Sequence, residues 1–345
     1  MSVDYPPSDH IKASLFNGYV GSSVVFALSE IGFFKLFEKN DSVVNLPRAA
    51  GILKVRQNLL TALCDNMVAI GILQNASDDS YALTIEGQNL AELLGYFTWA
   101  IGGYGNLLHN LHHLVSGRKT YGYEVVRDES YVARGAGEVG QKFVLPVVAS
   151  QLDKSSFNEI VDLGCGSAAL LIFLCRRYPW IKGVGVDISE KACELARQRI
   201  FQSGLSERIR IIKSDVNQLA YGADSSEVSS LQRAEVVTSF FMLHDLIKNQ
   251  AQAVDFFSNL KRNFCNTRYF LFGDTMQSDS LELLKSQKIF SQVFELVHAF
   301  MGHCLWKKQL YDEVFSAAGF AVDGCIRLDI PFSWLYVLKN EAVIG

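Results

Sequence analysis

A chain of 345 residues, 49% hydrophobic and 20% charged, has the length for two domains and the apolar content for a sizeable core. Its net charge of −4 gives no basic footprint for nucleic acid or for an anionic membrane surface. Seven cysteines, odd in number and without C-x-x-C spacing, are expected to be reduced, buried thiols of a cytoplasmic protein.

The start, MSVDYPPSDH, lacks the basic and apolar regions of a secretory signal, and no uninterrupted apolar run of membrane-spanning length follows, so no membrane role is expected. From Ile11 to Phe37 the chain reads as helical, and SVVFALSEIGFFKLF is too rich in aromatics for a surface helix. Such a helix is expected to bury itself against a second copy, which predicts a homodimer. SVVNLPRAAGI, KVRQNLLTALCDNMVAIGIL and QNASDDSYALTIEGQNLA then give two helices and a small β hairpin, a winged-helix-like layout. DNA binding is not expected from it, because Asp41, Asp65, Asp78, Asp79 and Glu86 outnumber Arg48, Lys54 and Arg56. Residues 1–95 are assigned to this helical dimerisation domain.

Residues 96–150 read as a linker and substrate-site segment. Trp99 and Tyr104 are candidate pocket walls. His109, His112 and His113 have metal-compatible helical spacing, but without an acidic or cysteine partner nearby they read as an ordinary helical face. Arg127, in YEVVRDES, would ordinarily be a surface arginine.

Residues 151–345 are expected to form an α/β domain. VDLGCGSAALL reads as a strand, a glycine turn at Gly164 and Gly166, and the start of a helix. Glycines there let backbone N–H groups approach a ligand closely. Asp162 ends this strand, Asp187 ends the next (GVGVD), and Asp215 followed by Val216 ends the third (IRIIKSD). Helix capping is the plain alternative for such acids. Three successive strands ending in acids nevertheless resemble the class I methyltransferases over roughly residues 155–339. The resemblance implies a Rossmann-like, mostly parallel sheet that binds S-adenosyl-L-methionine, with Asp162 toward the methionine end, Asp187 on the ribose, and Asp215 and Val216 at the adenine.

The fourth strand, EVVTSFFMLHDL, brings His244 and Asp245 to the carboxyl end of the sheet, where ligands of open α/β folds sit. The stretch over 280–306 reads as a long amphipathic helix with Phe290, Phe294, His298 and Met301 on its inward stripe. Two imidazoles and a carboxylate form the ligand set of a non-haem iron site, and His244, Asp245 and His298 can supply it.

With these residues the chain resembles the C3-methyltransferases of 2-oxo acids, which act on phenylpyruvate, 5-guanidino-2-oxopentanoate or branched-chain oxo acids on the way to β-methylated amino acids of peptide antibiotics. The resemblance implies iron, or another divalent or trivalent metal, on His244, Asp245 and His298. It also implies a substrate site lined by Trp99 and Arg127. Arg127 would hold the substrate carboxylate, and Asp245, adjacent to His244 in a strand, would reach the metal less directly. A metal-free O-methyltransferase with His244 as general base is the alternative, and a non-catalytic regulator is disfavoured by the intact acids and His244. For the substrate tail, Glu124, Asp128 or Glu295 would suit a guanidinium, whereas Trp99, Phe241, Phe294 and Phe300 would suit an aryl group. The composition, not rich in alanine and arginine, tilts the expectation toward the guanidino acid.

Overall fold

The computed structural model describes residues 7–37, 42–222, 226–278 and 289–340. The chain divides into two compact units, Met1–Gly102 and Gly103–Gly345.

In the first unit, α1 (Pro7–Glu30) precedes β1 (Val43–Asn45), α2 (Leu46–Leu53), α3 (Gln57–Ala69) and the hairpin of β2 (Leu73–Ser77) and β3 (Ser80–Leu83). Asn45 starts α2 by accepting a hydrogen bond from the Arg48 amide at 3.2 Å, an N-cap that removes one unpaired donor from the first turn. The three strands form an antiparallel sheet in the order β1-β3-β2, so the expected two helices and hairpin are formed. Leu28, Phe33, Leu46, Leu60, Cys64 and Met67 make its core. The first half of α1 is different: Ile11, Leu15, Phe16 and Tyr19 are all exposed. By length and composition alone, Ile11–Glu30 would suffice to cross a membrane, a property that a search for uninterrupted apolar runs passes over.

The second unit begins with α4 (Tyr104–His109) and α5 (Glu129–Phe143). An alternating series follows: β4 (Glu159–Leu163), α6 (Ala169–Arg177), β5 (Lys182–Asp187), α7 (Glu190–Gln202), β6 (Ile209–Lys213), α8 (Val216–Tyr221), β7 (Val236–Phe240), α9 (Leu243–Leu246), α10 (Gln250–Asn263) and β8 (Tyr269–Thr275). It ends with α11 (Ser291–Met301), α12 (Lys308–Ala317), β9 (Ala321–Arg327) and β10 (Ser333–Lys339). The seven strands lie in the order β6-β5-β4-β7-β8-β10-β9, and within this sheet only β10 runs against its neighbours.

The sheet is covered on both faces. Strands such as EIVDL and VVTSF are buried at four of their five positions, with no alternation of buried and exposed side chains. Phe257, Phe270, Phe272, Phe315 and Tyr336 fill the largest core. The chain moves outward from β4 to β6 and then returns to β7 on the other side of β4. This reversal opens a crevice beyond the carboxyl ends of β4 and β7, the usual ligand site of such sheets.

Of the helix expected over 280–306, the part from Ser291 to Met301 is formed, and residues 279–288 lie outside the described residues.

Candidate active site

The glycine turn lies at the crevice. Gly164 and Gly166 have φ of 72° and 51°, values that side-chain-bearing residues rarely adopt, and a Cβ on Gly164 would stand 2.8 Å from Met242 Cγ. Asp162 is buried at the penultimate position of β4 and accepts a 2.7 Å hydrogen bond from Thr238 Oγ1, its register partner on β7. Burial pushes the Asp162 carboxyl up to about 7, against the Thr238 bond and with help from Asp187. Asp187 binds the turn itself: its Oδ2 accepts from the Gly166 amide and its Oδ1 from the Ser189 amide, each at 2.9 Å. Asp215 caps α8 through Oδ1, accepting from the Asn217 amide at 2.9 Å, and Val216 is buried behind it. Ile188, directly after Asp187, is an exposed apolar side chain at the same rim, and the sequence reading did not single it out. A tight glycine turn with an acid at each of three strand ends fits a cofactor carrying an amino acid and a ribose.

Across the crevice, the chain leaves β7 through Phe241, whose φ of 56° is strained for an aromatic residue and redirects the backbone into α9. His244 and Asp245 therefore sit on a helical turn, not in a strand. This corrects the expectation that adjacent side chains must diverge to opposite faces: about 100° apart on a helix, both reach the same space. His244 Nδ1 lies 2.6 Å from Asp274 Oδ1, and its Nε2 lies 3.5 Å from Asp245 Oδ1. His298, on α11, donates through Nδ1 to its own helix at Phe294 O, 2.7 Å away. Ligand atoms of His244, Asp245 and His298 all fall within 4.8 Å of one another.

These three residues fit a cation. Donors on one ion with bonds of about 2 Å lie about 3 to 4 Å apart. Both imidazoles have Nδ1 engaged with an acceptor, which leaves each Nε2 as the ring atom able to ligate. Asp245 Oδ1 is buried with no aligned hydrogen bond among the described residues. Burial and the neighbouring His244 push His298 down to about 3, so it is neutral, as a ligand must be. Burial works against the charge of Asp245, but His244, His303 and Arg127 around it hold it well below the usual carboxylate range.

Other expected residues are partly gathered here. Arg127 donates from one nitrogen to Asp245 Oδ2 at 3.2 Å and from another to Tyr104 Oη at 3.1 Å, and the Tyr104 ring lies 6.3 Å from His298. Trp99 is buried and belongs to the first unit. Among the described residues, His244, Asp245 and His298 form a group with metal-binding spacing, and His109, His112 and His113 do not. Two contributors escaped the sequence reading. Asp274 is the penultimate residue of β8, and His303 follows the left-handed Gly302 at the end of α11, which turns its Nδ1 back to 2.7 Å from Asp245 Oδ1.

Residues 160–263 match the model of the methyltransferase domain family. Indolepyruvate C-methyltransferase of Streptomyces griseus is 27% identical over 335 residues, spanning 95% of this chain and 94% of its own. The chain is an S-adenosylmethionine-dependent methyltransferase with the class I fold. The resemblance of this methyltransferase to the 2-oxo acid C-methyltransferases is borne out by that relative. A second is 2-ketoarginine methyltransferase of Streptomyces arginensis, 22% identical over 51% of this chain and 48% of its own. In fold, the methyltransferase matches human N-acetylserotonin methyltransferase solved with S-adenosylmethionine, at a TM-score of 0.68 and 16% identity over 99% of both chains. It also matches mitomycin 7-O-methyltransferase, at 0.60 and 15% identity over 96% of this chain and 98% of that one.

Proposed function

We propose that this methyltransferase moves the methyl group of S-adenosylmethionine to C3 of a 2-oxo acid with an aromatic side chain, using a cation held by His244, His298 and Asp245. The observation that carries the reading is the convergence of two imidazoles, each with Nδ1 already engaged, on a buried carboxylate oxygen. When bound, the cation supplies a Lewis acid for the carboxylate and carbonyl oxygens of the oxo acid, where negative charge develops as C3 loses its proton. Arg127 turns its fork from Asp245 and Tyr104 toward the substrate carboxylate, a bidentate and charge-assisted contact. The glycine turn and Asp162 hold the methyl donor on the opposite side of the crevice, so the carbon and the methyl group meet in line.

The preference for an aromatic tail reverses the compositional tilt toward the guanidino acid. A buried guanidinium would need a carboxylate, and the three considered for it are engaged locally. Glu124 accepts from the Thr120 amide, Asp128 caps α5 through the Ser130 amide, and Glu295 accepts from the Ser278 amide. Beside the imidazoles stand Phe294, 5.2 Å from His244 and 4.1 Å from His298 between ring centres, and Tyr104, with Phe290 packed on Phe294 at 5.0 Å. The methylated product is the oxo acid of a β-methylated amino acid. We also propose that the exposed face of α1, with Ile11, Leu15, Phe16 and Tyr19, meets a second copy of the chain.

Methyl transfer from labelled S-adenosylmethionine tests the reading, with indolepyruvate, phenylpyruvate and 5-guanidino-2-oxopentanoate offered with and without a strong chelator. The aromatic acids should be methylated, the chelator should abolish turnover, and iron should restore it. His298→Ala should lose turnover while still binding S-adenosylmethionine. Chelator-resistant methylation of a hydroxyl acceptor would instead establish His244 as the base of an O-methyltransferase.

A further inference from the structure

Because β8 pairs with β7, the end of β8 lies beside the α9 turn, and Asp274 is fixed there from four directions. Its Oδ1 accepts from the Thr275 amide at 2.9 Å and lies 2.6 Å from His244 Nδ1. Its Oδ2 accepts from the His244 amide at 2.8 Å and from the Tyr311 hydroxyl at 3.0 Å. Asp274, His244 and Tyr311 are each at least 96% buried, so water does not compete for these bonds. Each carboxylate oxygen already faces a backbone N–H, a donor that cannot change its role. The remaining partner of Oδ1 is the imidazole, which is thereby required to carry its hydrogen on Nδ1.

We propose that Asp274, held in place by Tyr311, is a positioning residue that fixes His244 in the Nδ1–H tautomer and so keeps the Nε2 lone pair facing the active site. The inference rests on the reading of His244 as a working group of the site, and it serves that group whether Nε2 ligates a cation or removes a proton. The two imidazoles differ in this respect. His298 orients itself through a carbonyl of its own helix, four residues back, whereas His244 depends on a side chain 30 residues away and on a tyrosine beyond it.

The arrangement dictates what asparagine does at this position. The His244 amide and the Tyr311 hydroxyl both point at the Oδ2 position and only the Thr275 amide, besides the imidazole, at Oδ1, so the amide oxygen of the Asp274→Asn variant settles at Oδ2 and the Thr275 contact is given up. Its NH2 then faces His244 Nδ1, which must become the acceptor, and the ring proton moves to Nε2. Histidine-selective nitrogen NMR on the metal-free protein, at alkaline pH where the ring is neutral, reads this directly. Wild type should show a protonated Nδ1 and the Asp274→Asn variant a protonated Nε2. Cation affinity, measured by competition with a chelator, should fall about 10- to 100-fold, and turnover with it, while S-adenosylmethionine affinity stays unchanged. Tyr311→Phe should shift both readings the same way by less, and Asp274→Glu should restore the tautomer. An Asp274→Asn variant that keeps the Nδ1–H tautomer overturns the proposal, as does one that switches tautomer with no loss of turnover. If Asp274→Asn fails to fold, Tyr311→Phe decides by the same two readings. The tautomer is read with neither metal nor substrate present. A wild type that binds no cation therefore defeats the proposed metal chemistry and leaves this assignment to be judged by tautomer and turnover.

Discussion

Replacing Asp162 by asparagine separates burial from charge in the cofactor cradle. Burial places the Asp162 carboxyl at about 7, against 3.8 for the free group. The unfolded chain therefore loses this proton first as pH rises, and the folded state binds more protons across the interval. Stability falls through that window by about 1.4 kcal/mol per pH unit and levels off above it. The Asp162→Asn side chain has no proton to lose and nearly the same shape, so it escapes this penalty. The stability advantage of the variant over wild type should thus grow by about 3 kcal/mol from near pH 5 to near pH 8, which is about two units of linkage. Urea unfolding of the cofactor-free protein at the two pH values gives the difference directly. Because only its change with pH is used, any fixed cost of the amide against Thr238 cancels. An advantage that is equal at both pH values would refute the reasoning. The same ionisation predicts that binding of the cationic methionine end of the cofactor releases a proton near pH 6, seen by calorimetry in buffers of different ionisation enthalpy.

Gly164→Ala should cost about 1 to 3 kcal/mol of stability through its positive φ, and should weaken S-adenosylmethionine binding as the new methyl displaces Met242; thermal unfolding and calorimetric titration check both. Arg127→Lys should raise the KM for the 2-oxo acid about tenfold and leave the cofactor Kd unchanged, because a lysine cannot make the bidentate contact to the substrate carboxylate proposed for the guanidinium fork. Steady-state kinetics with each substrate varied in turn separates the two constants.

The acids at the ends of β4, β5 and β6 were legible because each closes a short apolar run within one stretch of sequence. His244 and Asp245 were legible for the same reason, but their joint orientation was not. It depends on the left-handed Phe241, a conformation no propensity assigns to phenylalanine. Arg127 looked like a surface residue because its partner lies 118 positions away, and only the packed fold brings the two charges together. Asp274 resembled any acid at a strand end, and its importance comes from β8 lying beside β7, a pairing that local pattern does not encode. His303 left a readable signal: a glycine directly after a histidine-bearing helix commonly turns the chain back over its last turn.

Cys165 sits between the two glycines of the cofactor turn. Here its sulfur fills the space that Gly185 leaves open on β5; a Cβ on that glycine would stand 2.7 Å from Sγ. Burial also raises its pKa well above the ordinary thiol value, with the charges of Asp162 and Asp187 acting in the same direction. A thiol that does not ionise is a poor nucleophile toward peroxide. The cradle is thus chemically quiet toward oxidants, and the enzyme can keep a cysteine at the heart of its cofactor turn without becoming redox-sensitive there.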